Sequence, residues 1–309
     1  MKKIISSLVA TSLILGGCSD MPENKSTNDN QQKTKNTKEE KAIPEKMPVQ
    51  EYKGQGFQPH AEDEAIKFAK KHRKEFEKLG EQFFKDNFSL NVKATNVVAV
   101  DDGVEVYVHC NDNGIVFNAS IPFTKDSLGV PGSFRSNDTS SEMEILVGKV
   151  LSGFEYRAQK EKYDNLTQFY KDNREKYNYT GMTKEAINST QNVGYRNEYF
   201  YILYSSRSLN EYRKYFEPLI YKDDQEFKDG MIHARKKLNY TADVRVVATL
   251  FSTQKDISQK KDVLKWIEFT NSIKKQSNFP SQAHIISKLV ENGIYTKTTS
   301  YDKQNKIEI

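Results

Sequence analysis

The chain has 309 residues and a formal net charge of +5; 36% of its residues are hydrophobic, 11% aromatic and 29% charged. The mean hydropathy of −0.77 argues against a protein with many membrane spans, and the aromatic content argues for a packed core. A small positive charge spread over a chain of this length gives little reason to expect a polyanionic partner.

The N-terminus has the pattern of a cleaved export signal. Two lysines precede an apolar stretch of twelve residues, Ile4 to Leu15, which is shorter than the roughly 20 residues needed to cross a bilayer. The tetrapeptide Leu15-Gly16-Gly17-Cys18 resembles the lipobox of bacterial lipoproteins. This resemblance implies cleavage after Gly17 and a diacylglycerol thioether on Cys18. An ordinary secretory signal with a chance cysteine is the alternative.

Lipidation would place the protein on the extracytoplasmic face of the cell membrane, since two acyl chains give stable attachment. The following residues, 19–53, contain few large apolar side chains and equal numbers of acidic and basic ones. Such a segment does not bury enough surface to fold, so we predict that residues 18–53 form the lipidated cysteine and a disordered tether. As a coil of 35 residues, the tether would span on the order of 30 to 35 Å.

Residues 54–130 are predicted to form one amphipathic helix followed by a three-stranded antiparallel meander. Apolar residues recur at helical spacing from Ala61 to Phe88, with His72 on the apolar stripe as a packed residue. Three β-branched segments separated by glycine-containing turns follow at Asn91–Asp101, Val104–Cys110 and Ile115–Phe123.

Alternation along the middle strand places Cys110 with buried valines and His109 on the opposite face. Neighbouring strand residues point apart, which argues against catalysis by a cysteine–histidine pair. After lipidation of Cys18, the other cysteine, Cys110, would have no disulfide partner.

Residues 131–309 are predicted to be a mixed helix and strand region, in the same domain or in a second one. A capping box of Ser141 and Glu144 starts a helix, and Gly293 would end the last one. The apolar spacing predicts helices over 143–154, 165–177, 212–219, 227–238, 259–275 and 280–293, strands over 198–205 and 243–253, and a closing hairpin over 294–309.

Tyrosines cluster between Tyr195 and Tyr221, a 27-residue segment that holds seven of the chain's 17. Tyrosine with arginine is typical of binding surfaces, so a ligand-binding face is one interpretation; tyrosines that line a core are the other. For the binding face, the candidate residues are Tyr199, Tyr201, Arg196 and Arg207, with Tyr199 and Tyr201 as the exposed pair.

Known catalytic motifs are absent from the sequence: it contains no CxxC, HExxH, GxSxG, Walker or Rossmann pattern. The five histidines are scattered, so the sequence predicts neither a metal site nor a cofactor. The chain as a whole resembles a family of uncharacterised staphylococcal lipoproteins, a domain of unknown function. That resemblance rests on the lipobox at Cys18, the Lys- and Asn-rich tether and the long folded part, and it implies a Gram-positive cell and no established activity.

Together these features predict an α+β fold, an antiparallel meander with amphipathic helices packed on it. The main functional hypothesis is a non-enzymatic module that binds a ligand or protein partner in the cell envelope, with no nucleic acid as partner. Two alternatives stay open: an envelope hydrolase with carboxylates dispersed in the sequence, and a signal peptide that serves as the precursor of a pheromone-type peptide.

Overall fold

The computed structural model describes residues 43–129, 134–238, 244–254, 257, 259–280, 283–300 and 306–308. The predictions for the signal peptide, Gly17, Cys18 and the tether up to residue 42 lie outside the described residues. From Ile43 onward the chain belongs to one compact unit.

The tether prediction was wrong for residues 43–53, which are part of the folded unit. Strand β1, Lys46–Met47, pairs with β9, Ile294–Tyr295. Val49 and Tyr52 have no exposed surface, and the Tyr52 hydroxyl donates a hydrogen bond to the Thr296 carbonyl at 2.9 Å. The polar composition of the segment concealed its packing, because only a few of its side chains, Val49, Tyr52 and Met47, contribute to a hydrophobic cluster.

The predicted N-terminal helix is two helices, α1 at Asp63–Lys71 and α2 at Arg73–Phe88. His72 lies between them with φ −106° and ψ 21°, and its ring packs 4.6 Å from that of Phe68. The helices contact the meander through buried residues such as Phe76 and Phe84.

The meander forms as the alternation predicts. Its strands are β2 at Val92–Val100, β3 at Gly103–Asp112 and β4 at Ile115–Phe123, with antiparallel pairing throughout. Val104, Val106, Val108 and Cys110 all point into the core and are at most 1% exposed.

Two long helices follow, α3 at Ser141–Ala158 and α4 at Lys160–Tyr177. The helix cap is Ser140, whose hydroxyl accepts from the Met143 amide at 3.3 Å, so the predicted capping box at Ser141 was displaced by one residue. The predicted core positions Met143, Leu146, Val150, Leu151 and Phe154 are buried.

A second, mixed sheet has the strand order β10-β8-β7-β5, and β6 also pairs with β7. Its strands are β5 at Tyr179–Thr180, β6 at Phe200–Leu203, β7 at Val244–Ser252, β8 at Ala283–Val290 and β10 at Lys306–Glu308. The remaining helices are α5 at Lys184–Thr190, α6 at Leu209–Tyr215, α7 at Asp224–Lys237 and α8 at Gln259–Lys274.

Strand β8 contradicts the helix predicted over residues 280–293. It runs parallel to β7, and α8 connects the two strands. The closing hairpin was also wrong, because β9 pairs with β1 while β10 pairs with β8. The fold class is nevertheless α+β, as the sequence predicts, and none of the described helices is long and apolar enough to cross a membrane.

Candidate functional site

An open cleft of about 1040 Å³ lies where the junction of α3 and α4 faces α7. The turn after β3 also reaches it through Asn113 and Gly114. Its volume is at the upper end of the roughly 300 to 1,000 Å³ that small-molecule sites enclose. The charged side chains that line it are Arg157, Lys160, Glu161, Lys162, Asp164, Lys222, Asp224, Lys228 and Arg235.

Arg157, at the end of α3, fixes one wall of the cleft. Its guanidinium donates to the Ile220 carbonyl at 2.8 Å and to the Lys222 carbonyl at 2.6 Å, and it lies 4.0 Å from the centre of the Phe227 ring. These contacts join α3 to the start of α7 across the cleft. Because its donors are used in this way, Arg157 holds the wall in place.

At the other end of the cleft, Arg235 forms a buried ion pair with Glu155. Glu155 is 1% exposed and also accepts from Gln159 at 2.6 Å and from the Tyr163 hydroxyl at 3.1 Å. Burial is the largest influence on Arg235 and lowers its pKa, but the Glu155 carboxylate and the Tyr204 and Tyr163 hydroxyls together outweigh burial and raise that pKa. The ion pair joins α3 to α7 under the cleft.

Two of the three acidic residues in the cleft are paired with basic neighbours. Asp164 contacts the Lys160 ammonium at 2.5 Å and accepts from the Tyr156 hydroxyl at 2.9 Å. Asp224 lies 3.7 Å from Arg157. The third, Glu161, is exposed to solvent.

Lys162 and Lys228 have no ion-pair or hydrogen-bond partner within the described part of the chain. Lys162 is half-buried at the start of α4, and Lys228 is exposed on α7. Four of the six basic side chains that line the cleft pair with a carboxylate, and the two remaining lysines exceed the one unpaired carboxylate, Glu161, so the cleft carries a small positive excess. This arrangement favours an anion.

Two large apolar side chains are exposed in the same cleft. Tyr221 is 74% exposed and Ile232 is 62% exposed, while Met231, which also lines the cleft, is buried. Apolar side chains beside a few charged groups are typical of small-molecule sites, in which the charges set orientation.

Most of the Tyr-rich segment packs in the core, whereas Tyr221, at its end, is exposed and lines the cleft. Tyr199 is 5% exposed, with its ring 6.0 Å from that of Tyr170, so its predicted exposure was wrong. Tyr201 is half-buried, and Arg196, 8% exposed, lies over the Tyr201 ring at 5.6 Å. Arg207 is half-buried, and its backbone amide donates to the Glu144 carbonyl at 3.4 Å. None of these four residues lines the cleft.

Replacing Tyr199 with alanine is expected to lower the free energy of unfolding by about 3 kcal/mol, because the change opens a cavity among the Tyr170 and Tyr179 rings. Tyr201→Ala, on the half-buried neighbour, is the matched control and should cost about 1 kcal/mol. Urea unfolding measures both. Equal midpoints for the two variants would contradict burial of Tyr199.

A second polar cluster lies on the outer face of the meander. The Ser120 hydroxyl donates to Glu105 at 2.6 Å and accepts from the Asn192 amide at 2.6 Å. His109 shares a 3.0 Å hydrogen bond between its Nδ1 atom and Asn118. These hydrogen bonds hold the segment around Asn192 against the sheet.

The folded state should become less stable as the pH drops below about 6.5, because of His109. Burial lowers the pKa of His109, the Asn118 hydrogen bond opposes this, and nearby Lys184 reinforces it. Below about pH 6.5, His109 therefore binds a proton more readily in the unfolded chain than in the folded chain, and this difference favours unfolding. Urea midpoints should drop more between pH 7.5 and pH 5 in the wild type than in His109→Gln, and parallel pH curves would contradict this reason.

Cys110 is fully buried, and burial raises the pKa of its thiol to about 12, so it is a core side chain without thiolate reactivity. Among the described residues, no group of three histidine, cysteine or acidic side chains is placed to hold a metal ion.

Sequence reasoning missed the cleft residues. Lys162 and Lys228 look like ordinary lysines on the solvent faces of two helices. The only local signal is the run of charged residues at the start of each helix, which is common on exposed helices.

Comparisons with known proteins give a family and a related structure. The family described as "Protein of unknown function (DUF1672)" matches residues 38–309. A solved structure, of a DUF1672 family protein from Staphylococcus aureus subsp. aureus Mu50, is 49% identical with a TM-score of 0.84, and the match covers 87% of this chain and 98% of that one. No curated protein matches the sequence.

Proposed function

The chain belongs to the DUF1672 family, whose function is unknown, and from that premise we propose that it is a lipid-anchored binding module of a bacterial cell envelope. Its ligand is an anion of small-molecule size held in the cleft between the α3–α4 junction and α7. The observation that carries the proposal is a pair of lysines, Lys162 and Lys228, that have no partner among the described residues and lie in a cleft whose acidic residues are mostly neutralised.

The proposed cellular location rests on the sequence. The lipobox ending at Cys18 supports acylation of that cysteine and attachment to the outer face of the cell membrane. The related protein comes from Staphylococcus aureus, a bacterium, which agrees with an export signal of the lipoprotein type.

The ligand class follows from the cleft. Lysine ammonium groups bind phosphate and carboxylate as point charges. The exposed Tyr221 ring and Ile232 offer an apolar surface to the uncharged part of the ligand. A phosphate- or carboxylate-bearing sugar or polyol, such as a fragment of the cell wall, combines both features.

The hydrolase alternative gains no support from the buried carboxylate at the cleft. A general acid needs a carboxyl group that is free to exchange its proton with the substrate. Glu155 is instead held by Arg235, Gln159 and Tyr163.

A thermal-shift experiment tests the binding proposal. The mature chain without its lipidated cysteine, residues 19–309, is titrated with N-acetylmuramic acid, sn-glycerol 3-phosphate and inorganic phosphate. N-acetylglucosamine, which lacks the carboxylate of N-acetylmuramic acid, is the matched neutral probe. An anion at a hundred times its Kd should stabilise the fold by about 2.7 kcal/mol and raise Tm by about 5 °C. No shift with any anion, or an equal shift with the neutral sugar, would contradict the proposal.

Cell fractionation tests the anchor. The wild-type chain should stay in the membrane fraction at high salt and be released only by detergent, because two acyl chains hold it there. Cys18→Ala should be lost from the detergent fraction, whereas Cys110→Ala, the change at the other cysteine, should remain. Retention of Cys18→Ala in the detergent fraction would rule out acylation of this residue.

A further inference from the structure

We propose that the exposed face of α8 docks onto an anionic lipid surface, so that the domain lies against the membrane to which the lipid anchor holds it. This inference rests on the membrane attachment proposed above. It concerns a surface separate from the cleft, and it gives the anchored domain a preferred orientation.

Helix α8 has a well-packed inner side. Trp266, Phe269 and Ile273 are at most 5% exposed, and the indole of Trp266 donates to the Ser287 carbonyl of β8 at 3.4 Å. The rings of Trp266 and Phe269 stack at 4.8 Å. The inner side alone therefore accounts for the attachment of the helix to the sheet.

The outer side carries apolar residues that the fold does not use. Leu264 is 71% exposed and Ile267 is 39% exposed. They lie three residues apart, so they are neighbours on one helix face, and Leu264 points away from the Trp266 side. An exposed aliphatic pair on a packed helix suggests a contact outside the domain.

Lysines are frequent along the same segment of the chain. Residues 259–275 contain five lysines, at positions 260, 261, 265, 274 and 275, and two acidic residues, Asp262 and Glu268. Lys265, Lys274 and Lys275 are exposed. Lys176 of α4 neutralises Glu268 at 3.0 Å, and Glu268 also accepts from the Tyr177 hydroxyl at 3.1 Å, so this carboxylate does not offset the lysines of α8.

Charge and size together favour a lipid surface over a protein. Lysines around a small aliphatic face are typical of helices that lie in the interface of an anionic membrane. Two exposed aliphatic side chains are few for a stable protein interface, which buries about 800 Å² on each partner. A chain anchored at Cys18 also meets a membrane at high effective concentration, so a weak contact suffices.

The two surfaces lie at opposite ends of α4, which permits independent tests. The cleft is lined by residues up to Asn165, whereas Lys176 meets α8 at the other end of the helix. Eleven residues of helix separate those positions by about 16 Å.

Vesicle sedimentation tests the docking. The unlipidated chain, residues 19–309, is mixed with vesicles of phosphatidylglycerol and phosphatidylcholine, or of phosphatidylcholine alone. We expect binding to the anionic vesicles only, and loss of that binding at 0.5 M salt. The triple variant Lys265→Gln, Lys274→Gln, Lys275→Gln should bind about a hundredfold more weakly, since each basic residue near an anionic surface contributes about a factor of five.

The double variant Leu264→Ser, Ile267→Ser should weaken binding about tenfold, because it removes the aliphatic side chains that we expect to insert into the lipid surface. The matched control, Lys162→Gln with Lys228→Gln in the cleft, should bind vesicles as the wild type does. The docking would be overturned by equal binding to both vesicle types or by no binding to the anionic vesicles. It would also be overturned if the cleft variant bound as weakly as the α8 variants, or if the aliphatic variant bound as the wild type does. Because this chain lacks the acylated cysteine, the result is independent of the Cys18 fractionation.

Discussion

Replacing Arg235 with alanine is expected to lower the free energy of unfolding by about 3 to 5 kcal/mol, because it leaves the Glu155 carboxylate buried without its cation. Glu155 is 1% exposed and the Arg235 side chain is 15% exposed, so water screens the pair little. Urea unfolding at neutral pH measures the change. The pair joins α3 to α7, so the loss should also loosen the cleft.

Two further variants separate charge from packing. Lys236→Ala removes an exposed cation from the next position of α7 and should change stability by at most about 0.5 kcal/mol. Glu155→Gln in the Arg235→Ala background should recover part of the loss, because a neutral amide costs less to bury than an unpaired carboxylate. If Arg235→Ala were as mild as Lys236→Ala, the ion pair would not be the link between the two helices.

The second large effect concerns ligand binding. Replacing Lys162 and Lys228 together with glutamine should weaken the anion that binds best in the thermal-shift series about 30-fold, at about 1 kcal/mol for each charge-assisted contact. The fold should be unaffected, because neither lysine has a partner within the described residues. Isothermal titration calorimetry measures the affinity.

A matched pair on the same two helices is the control. Lys171 of α4 and Lys236 of α7 are exposed and do not line the cleft. Lys171→Gln with Lys236→Gln removes the same net charge, so it should leave the affinity within about twofold of the wild type, apart from screened long-range attraction. If both pairs weakened binding equally, net charge and not the cleft would hold the anion.

The meander and most helices were predictable from the sequence because their patterns are local. In β3 the alternation alone placed Cys110 on the buried face. In α3 the apolar residues recur at helical spacing over several turns, from Met143 to Phe154, and all of those named are buried. A period that repeats often enough fixes both the element type and its inner face.

Strand β8 could not be identified in this way. Ile285, Ile286, Leu289 and Val290 fit helical spacing, yet the segment pairs with β7 on one side and β10 on the other. Its apolar residues stand in consecutive pairs, Ile285-Ile286 and Leu289-Val290, so they fall on both faces and the strand lacks the alternation that marks a half-exposed strand. The partner strand β7 ends some thirty residues earlier in the chain, beyond any local pattern.

The cleft was unpredictable for a related reason. Its lining comes from three separate parts of the chain, near residues 113–114, 157–165 and 220–235. Tyrosine composition did not identify the cleft, because an apolar ring with a polar tip suits a core as well as a binding face, and Tyr221 is the only tyrosine of the Tyr-rich segment that lines the cleft. In this fold rings such as Tyr170 and Tyr199 pack against each other, and their abundance reflects the core.

The most direct test of the proposed site is a crystal structure of residues 19–309 with the anion that raises Tm most. We predict the phosphate or carboxylate beside α4 and α7, within about 3 Å of the ammonium groups of Lys162 and Lys228. The uncharged part should lie against Tyr221 and Ile232. An anion seated elsewhere, or an empty cleft at a concentration that saturates the thermal shift, would contradict the account.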